Sequence, residues 1–401
     1  MKIVLIEAGL PNDGLPWRTW TAKDGRFTSP SVGLVSIASL CRTEDEVCIF
    51  DEKVDGAGEQ IDADVAGISF KTMNAYRAYE LADKLRQRGT RVILGGLHAS
   101  LCPQEAKQHA DVVVVGEAEP VWRTVLDELE KGNAKPFYIS PMPGPPIDKL
   151  PEQRVEVLNH ARYLCHSVQT ARGCSLTCEF CPTRAMFGAG FRLRNPQMVI
   201  KEIERLIEIQ EKPVFFTDDV FGAGEIEYIK KLTQEIKSLG IAYAVICDLK
   251  MVNGELLKAL ATSGCRLMCF DIFHGGSPEE VQAVRSIQNA GIPILAYFMF
   301  GFEHHGPDIF ERVVNFVKQY DIQFTSFVLL APYAGTPMFE RLEKAGRILT
   351  HDWRLYDQAH VVFRPAKMTP EQLEEGFALV CRELGERYNI ERAIRMVVDH
   401  K

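Results

Sequence analysis

Short β-branched runs alternate with helix-patterned stretches twice along this chain, and a proline-rich segment separates the two series. In the first series Lys2–Glu7, Val47–Phe50, Val65–Phe70, Val92–Leu94 and Val112–Val115 read as strands. The clearest intervening helix runs from Asn74 to Gly89, with Ala75, Ala78, Tyr79, Ala82 and Leu85 on one face and a terminal glycine. Strands without polar alternation, separated by helices, predict a parallel, doubly wound α/β sheet. From Pro136 to Pro151 six prolines fall in sixteen residues, which suits a surface linker and neither a helix nor a central strand. The second series has strands at His166–Thr170, Pro213–Thr217, Ala242–Leu249, Arg266–Phe273, Pro293–Phe302 and Gln323–Ala331. One of its helices, 307 to 320, places Pro307 in the first turn and Phe310, Val313, Val314 and Val317 on one face. Six strand–helix units predict a partial (β/α)6 TIM-type barrel. The divisions expected are an α/β domain at 1–132, a linker at 133–160, the barrel at 161–348 and a helical region at 349–401.

The loop after the first barrel strand reads Ala171-Arg-Gly-Cys-Ser-Leu-Thr-Cys-Glu-Phe-Cys-Pro-Thr183, with three thiols, Cys174, Cys178 and Cys181, in eight residues. Thiolate sulfur is the ligand of iron–sulfur clusters. A four-iron cubane held by three cysteines leaves one iron open to another molecule. Zinc is the other reading, with Cys165 or His166 as a fourth ligand. Disulfides fit poorly, since the eleven cysteines are odd in number and scattered through apolar stretches.

This loop, with aromatic Phe180 before the last cysteine, resembles that of the radical S-adenosylmethionine (radical SAM) enzymes. The resemblance implies a 4Fe-4S cluster whose open iron binds S-adenosylmethionine and releases a 5'-deoxyadenosyl radical. Residues 1 to about 130 resemble the cobalamin-binding domain that precedes the cluster domain in one class of these enzymes, a flavodoxin-like (Rossmann-type) fold. Ligands of such sheets sit at the carboxyl ends of the strands, here Gly67-Ile-Ser-Phe-Lys-Thr72, Gly95-Gly-Leu-His98 and Gly116-Glu-Ala-Glu119. Ser69, Lys71, Thr72, Gly95, Gly96, His98, Gly116 and Glu117 are the candidate cobalamin contacts. The same glycines also suit tight turns in a domain with no ligand. The Asp-x-His-x-x-Gly motif that supplies a histidine to cobalt in methionine-synthase-type domains is absent from the sequence. Cobalamin is therefore expected to bind without a histidine lower ligand.

In barrels of this kind chemistry sits at the carboxyl ends of the strands. The resemblance places Asp218 and Asp219 near the amino group of S-adenosylmethionine, although Asp219 also suits a helix cap. Gly301 and the 331–337 stretch, with Tyr333, match family segments. Arg192 and Arg194 resemble the family's arginine after the cluster loop, and suit either charge balance or a helix cap. Asp271-Ile-Phe-His274 departs from the family's usual Gly-x-Glu-Ser, and Glu303-His-His305 follows Gly301-Phe302 where Asp is common. Asp271, His274, His304 and Tyr333 are thus the candidate catalytic groups, His305 lies beside them, and an exposed loop is the ordinary place for any one of the histidines. The last region carries one cysteine, Cys381, too few for a second cluster.

The formal charge of −8 argues against general nucleic-acid or anionic-membrane binding. The first residues lack the long apolar core of a signal peptide, and no apolar run reaches spanning length. A cytoplasmic enzyme is expected, with a small-molecule substrate and an external electron donor of flavodoxin or ferredoxin type. The resemblance favours a methyltransferase acting on an unactivated carbon of a small metabolite, lipid or natural-product intermediate. The alternatives are radical cyclisation, rearrangement or deoxygenation, and a non-catalytic metal-binding or sensor protein.

Overall fold

A computed structural model describes residues 1–9, 26–387 and 390–398. Six parallel strands form the first sheet: β1 (Lys2–Glu7), β2 (Glu46–Asp51), β3 (Val65–Ser69), β4 (Arg91–Gly95), β5 (Val112–Val115) and β6 (Phe137–Ile139), in the order β2-β1-β3-β4-β5-β6. Strand order reverses direction between β1 and β3, the switch point at which such sheets open a crevice. Helix Ala75–Gln87 covers one face with Ala75, Ala78, Tyr79, Ala82 and Leu85, and helices Val32–Ala38 and Trp122–Glu130 cover the other. β6 corrects the linker expectation. Pro136 and Pro141 leave only 137–139 free to pair, and at the sheet edge their missing N–H groups cost nothing.

The second sheet, also parallel, takes its strands in chain order: β7 (His166–Val168), β10 (Val214–Phe216), β11 (Tyr243–Ile246), β12 (Cys265–Ile272), β13 (Ile294–Phe300) and β14 (Phe324–Leu329). Between β7 and β10 lies a small antiparallel hairpin, β8 (Ala171–Cys174) with β9 (Gly190–Leu193). Val214, Phe216, Val245, Phe270 and Phe298 point outward under the helices. Phe215, Ala244, Leu267, Cys269 and Leu295 point inward, where Ala393, Ile394 and Val397 of the final helix, Ile390–Val398, pack against them. These inward residues lie low in their strands, so the final helix fills the amino-terminal end of the lumen and leaves the carboxyl end as an open mouth. Helix Ile309–Gln319 begins two residues after Pro307, whose ring precedes the first turn instead of occupying it.

The carboxyl-terminal region is helical only in part. One turn at Trp353–Leu355 is followed by non-helical chain up to helix Pro370–Leu384. Trp353, Tyr356, Val362 and Phe363 are buried in the core face of the first domain, beside Phe70, Tyr79 and Ala99. Helix and reach compete here: 1.5 Å per residue in a helix is too short a stride to carry these side chains across, and extended chain covers twice that. Among the described residues no helix is long and apolar enough to cross a membrane.

Candidate functional site

Cys174 is the last residue of β8, and its cross-strand partner is Gly190, so the hairpin closes the cysteine loop at its base. Gly173 makes that closure possible. Its φ is +85°, and a Cβ there would sit 2.6 Å from the Gly190 carbonyl oxygen. All three thiols are partly exposed. The Leu176 N–H donates to Cys174 Sγ at 3.4 Å; Cys181 Sγ donates to Thr183 Oγ1 at 3.3 Å, which donates on to Asp219 Oδ1 at 3.2 Å. Burial raises the pKa of Cys174 and Cys178, and the carboxylates of Asp219, Asp248 and Asp271 add to it. Thiols that resist ionisation while empty would ionise when a cationic iron centre offsets those charges.

The zinc alternative loses both of its fourth ligands. Cys165 is buried inside the lumen floor, its thiol pushed up to about 12 by burial. His166 is buried too; its Nε2 meets the Gln210 carbonyl at 2.8 Å, and burial lowers its pKa to about 4. The three loop sulfurs are not gathered within 4.8 Å of one another, as ligands of a single ion are. A cluster, whose thiolates bind different irons, spreads them wider, so the donor set fits a cluster with an open position.

Around the loop the mouth is acidic and aromatic. Asp271 is solvent-accessible but walled by protein, and lost solvation together with the Asp248 charge raises its carboxyl to about 6. Asp248, which the sequence reading passed over, follows β11 at the carboxyl end, the position where barrel chemistry is found. Burial also raises the Asp219 pKa. Phe180 stands edge-on to Phe273 and Phe302, at 6.3 and 5.5 Å. His274 and His304 are exposed at the rim with ring centroids 4.8 Å apart. His305 is buried; its Nε2 meets the Phe273 carbonyl at 2.6 Å, tying the end of β12 to the loop after β13.

A cleft of about 210 Å³ opens at the carboxyl ends of β3, β4 and β5, and its walls include Ser69, Gly95, Gly96, Gly116 and Glu117. A Cβ added at Gly33 would meet nothing within 4 Å, and one at Gly95 only Val114 at 4.0 Å, so both glycines leave open space in the wall. None of the residues lining the cleft is a histidine. An apolar cleft with bare backbone walls and no lining histidine fits a corrinoid bound without an imidazole from the protein. The second domain supplies Gln169, Arg172, Met186 and Phe187 to the same cleft. Arg172, two residues before Cys174, donates to Glu117 Oε1 at 3.0 Å and Glu119 Oε1 at 2.7 Å. Arg192, its partner across the hairpin, grips both Glu117 oxygens at 2.9 and 2.7 Å. Burial opposes the Glu119 charge, yet the Arg172 guanidinium holds its pKa below the usual range.

Several expected contacts lie elsewhere. Asp218 is buried beneath the site, accepting from the Thr170 and Ala171 N–H groups at 2.7 and 3.0 Å and from the Thr170 hydroxyl, so it anchors the turn into β8 and cannot meet a ligand. His98 and Thr72 are buried on the far side of the sheet, Nδ1 to Oγ1 at 3.2 Å, where Trp353 covers the His98 ring. Lys71 is accessible and does not line the cleft. Arg194 is bound to Glu202 at 2.6 Å and to the Gln169 carbonyl, and Arg192 to Glu117, so neither guanidinium faces the cysteine loop. Gly301 is buried under Phe363, and half-buried Tyr333 packs on the first-domain core. Arg172 was missed because a basic residue ahead of a cysteine motif carries no pattern of its own; Glu119 stood in the Gly116–Glu119 strand end without being singled out.

Two families match the chain: the B12 binding domain over residues 25–126 and the radical SAM superfamily over 168–317. The chain is 30% identical over 359 residues to bacteriochlorophyllide d C-8(2)-methyltransferase of Chlorobaculum tepidum, covering 80% of this chain and 77% of that one. It is 28% identical over 389 residues to the C-12(1)-methyltransferase of the same organism, covering 90% and 84%. Its fold is that of the radical S-adenosylmethionine methyltransferase TsrM from Kitasatospora setae, solved with cobalamin and a [4Fe-4S] cluster bound, at a TM-score of 0.71 and 15% identity over 96% of this chain and 89% of that one. A B12-binding sheet, a radical SAM barrel and these relatives together establish that the chain belongs to the cobalamin-dependent radical S-adenosylmethionine enzymes.

Proposed function

We propose that this enzyme transfers a methyl group to an unactivated carbon of a small metabolite, lipid or natural-product intermediate. One observation carries the reading: the hairpin that holds Cys174 also walls the cleft of the first domain, so both cofactor sites share one rigid element. When bound, the cluster with S-adenosylmethionine supplies a 5'-deoxyadenosyl radical, and cobalamin carries the methyl group.

The chain's own residues orient and enclose. Cys174, Cys178 and Cys181 would hold the cluster. Asp219, Asp248 and Asp271 give the mouth a negative field suited to the ammonium and sulfonium of S-adenosylmethionine. Gly95, Gly96, Gly116 and Ser69 would lie against the corrinoid, while Glu117, Glu119, Arg172 and Arg192 fix the two domains around it. A reductant of flavodoxin or ferredoxin type and a cytoplasmic location complete the reading.

Methyl transfer consumes one S-adenosylmethionine for the radical and another to recharge cobalamin. Chromatography of a turnover mixture should find 5'-deoxyadenosine and S-adenosylhomocysteine in near-equal amounts. Deoxyadenosine alone would mean a cyclisation, rearrangement or deoxygenation in place of methyl transfer.

A further inference from the structure

The turn after β4 carries a cluster of side chains that neither cofactor site uses. Helix Leu97–Leu101 runs almost directly into helix Pro103–Ala106. The Cys102 N–H donates to the His98 carbonyl at 2.8 Å, and the Ala106 N–H to the Cys102 carbonyl at 3.1 Å, so helical pitch continues through the junction. That pitch puts His98, Cys102 and Glu105, at i, i+4 and i+7, on one face. Among the described residues, one imidazole nitrogen of His98, the Cys102 sulfur and one Glu105 oxygen all lie within 4.8 Å of one another. None of the three lines the cleft of the first domain.

The imidazole decides what such a group can do. His98 is fully buried. Its Nδ1 meets the Thr72 hydroxyl at 3.2 Å, while its Nε2 has no hydrogen-bond partner among the described residues. Glu105 Oε1 stands 3.6 Å from Nε2, beyond hydrogen-bonding reach. A buried polar atom left unpartnered is costly, and a bound cation removes that cost. With Nδ1–H donating to Thr72, the lone pair lies on Nε2, the form in which a histidine binds metal through that nitrogen. The Tyr79 hydroxyl, on a ring 6.3 Å from that of His98, is a second buried polar atom without a partner. Glu105 is held from the other side: the Trp353 indole N–H donates to both its oxygens, at 3.1 and 3.0 Å, the outer support that ligating carboxylates receive. Cys102 and Glu105 are partly exposed, which gives an ion a way in.

We propose that His98 Nε2, Cys102 Sγ and a Glu105 oxygen bind one zinc ion, at a site separate from the cysteine loop of the barrel. Nitrogen, sulfur and carboxylate oxygen together are donors that zinc accepts, whereas magnesium and calcium take oxygen. Ligands about 2.0–2.3 Å from a tetrahedral ion stand roughly 3.3–3.8 Å apart, so the three atoms close in by no more than about 1.5 Å. Cys102 gives up its proton to solvent as the zinc–sulfur bond forms, and water takes the fourth position. Because Glu105 also holds Trp353, the ion ties the turn after β4 to the carboxyl-terminal region.

X-ray absorption at the zinc edge tests this on the full chain, reconstituted anaerobically with iron and sulfide to fill the cysteine loop, then loaded with zinc and desalted. Wild type should retain zinc with a single sulfur at about 2.3 Å and nitrogen or oxygen ligands at about 2.0–2.2 Å. Cys102→Ser should lose the sulfur. Competition with a chromophoric chelator should show Cys102→Ser and His98→Gln binding zinc at least about tenfold more weakly, since even an outer-shell loss costs about 10- to 100-fold. If His98→Gln fails to fold, Cys102→Ser, which changes one atom at a partly exposed position, carries the comparison. A shell of three sulfurs would put the zinc in the cysteine loop and overturn the proposal. So would a wild-type chain that retains no zinc, or a Cys102→Ser chain that binds it as tightly as wild type.

Discussion

Three cysteines and the carboxylate of Asp271 divide the labour of the barrel mouth. Replacing Cys174, Cys178 and Cys181 by Ala should remove the roughly four irons per chain expected of a cubane cluster, while Cys165→Ala should retain them; iron assay after anaerobic reconstitution decides. Asp271 gives a pH signature. Its carboxyl, raised from 3.8 to about 6, takes up a proton in the folded chain before it does so in the unfolded one. By linkage its contribution to stability is full at low pH and is lost as pH rises through about 6. The stability of wild type relative to Asp271→Asn should therefore fall between about pH 4 and pH 6, the unfolded and folded values, and level off above, by less than about 1 kcal/mol because solvent reaches the group. Thermal unfolding of both proteins across that range tests it; a flat difference contradicts the assignment. The thiols were legible because ligand spacing lies within one short segment. Asp218 and His98 misled because a polar residue at a strand end looks the same in sequence whether it faces a ligand or anchors a turn.

At the scale of elements the hairpin is the sensitive part. Gly173→Ala forces a side chain into a left-handed backbone and against the Gly190 carbonyl, at a cost of about 1–3 kcal/mol. It should lower iron content along with stability, since the strand it distorts ends on Cys174. Arg172 is 7% exposed and holds carboxylates that are 3% and 6% exposed. Arg172→Met leaves those charges short of a partner and should cost about 3–5 kcal/mol in urea unfolding; cobalamin retention on gel filtration should drop with it, and an unchanged ratio of cobalamin to protein would count against the interdomain role. Both parallel sheets were legible from buried apolar runs, whose period survives any tertiary context. The hairpin was not, because four-residue strands inside a glycine-containing motif have no period to read. β6 hid for a related reason: three residues between prolines pair only where an edge happens to wait for them.

The molecule as a whole is less divisible than its two families suggest. Leu330, Ala331, Met338, Trp353, Tyr356 and Phe363 complete a core begun by β1, β3 and β4. Trp353 also donates its indole N–H to both Glu105 oxygens, at 3.1 and 3.0 Å. Trp353→Ala should then cost about 3–5 kcal/mol and weaken cobalamin retention, although Trp353 does not line the cleft. Denaturation followed by cobalamin absorbance and by far-ultraviolet dichroism should give coincident transitions; separated ones would mean that the domains stand alone. The shared core also sets a schedule during synthesis. The first sheet has all its strands once Ile139 is made, but Trp353 follows 214 residues later, counting from 139 to 353. At about 5–20 residues per second the nascent sheet waits on the order of ten to forty seconds with the part of its core face that helix Ala75–Gln87 does not reach uncovered, which offers apolar surface to a ribosome-associated chaperone.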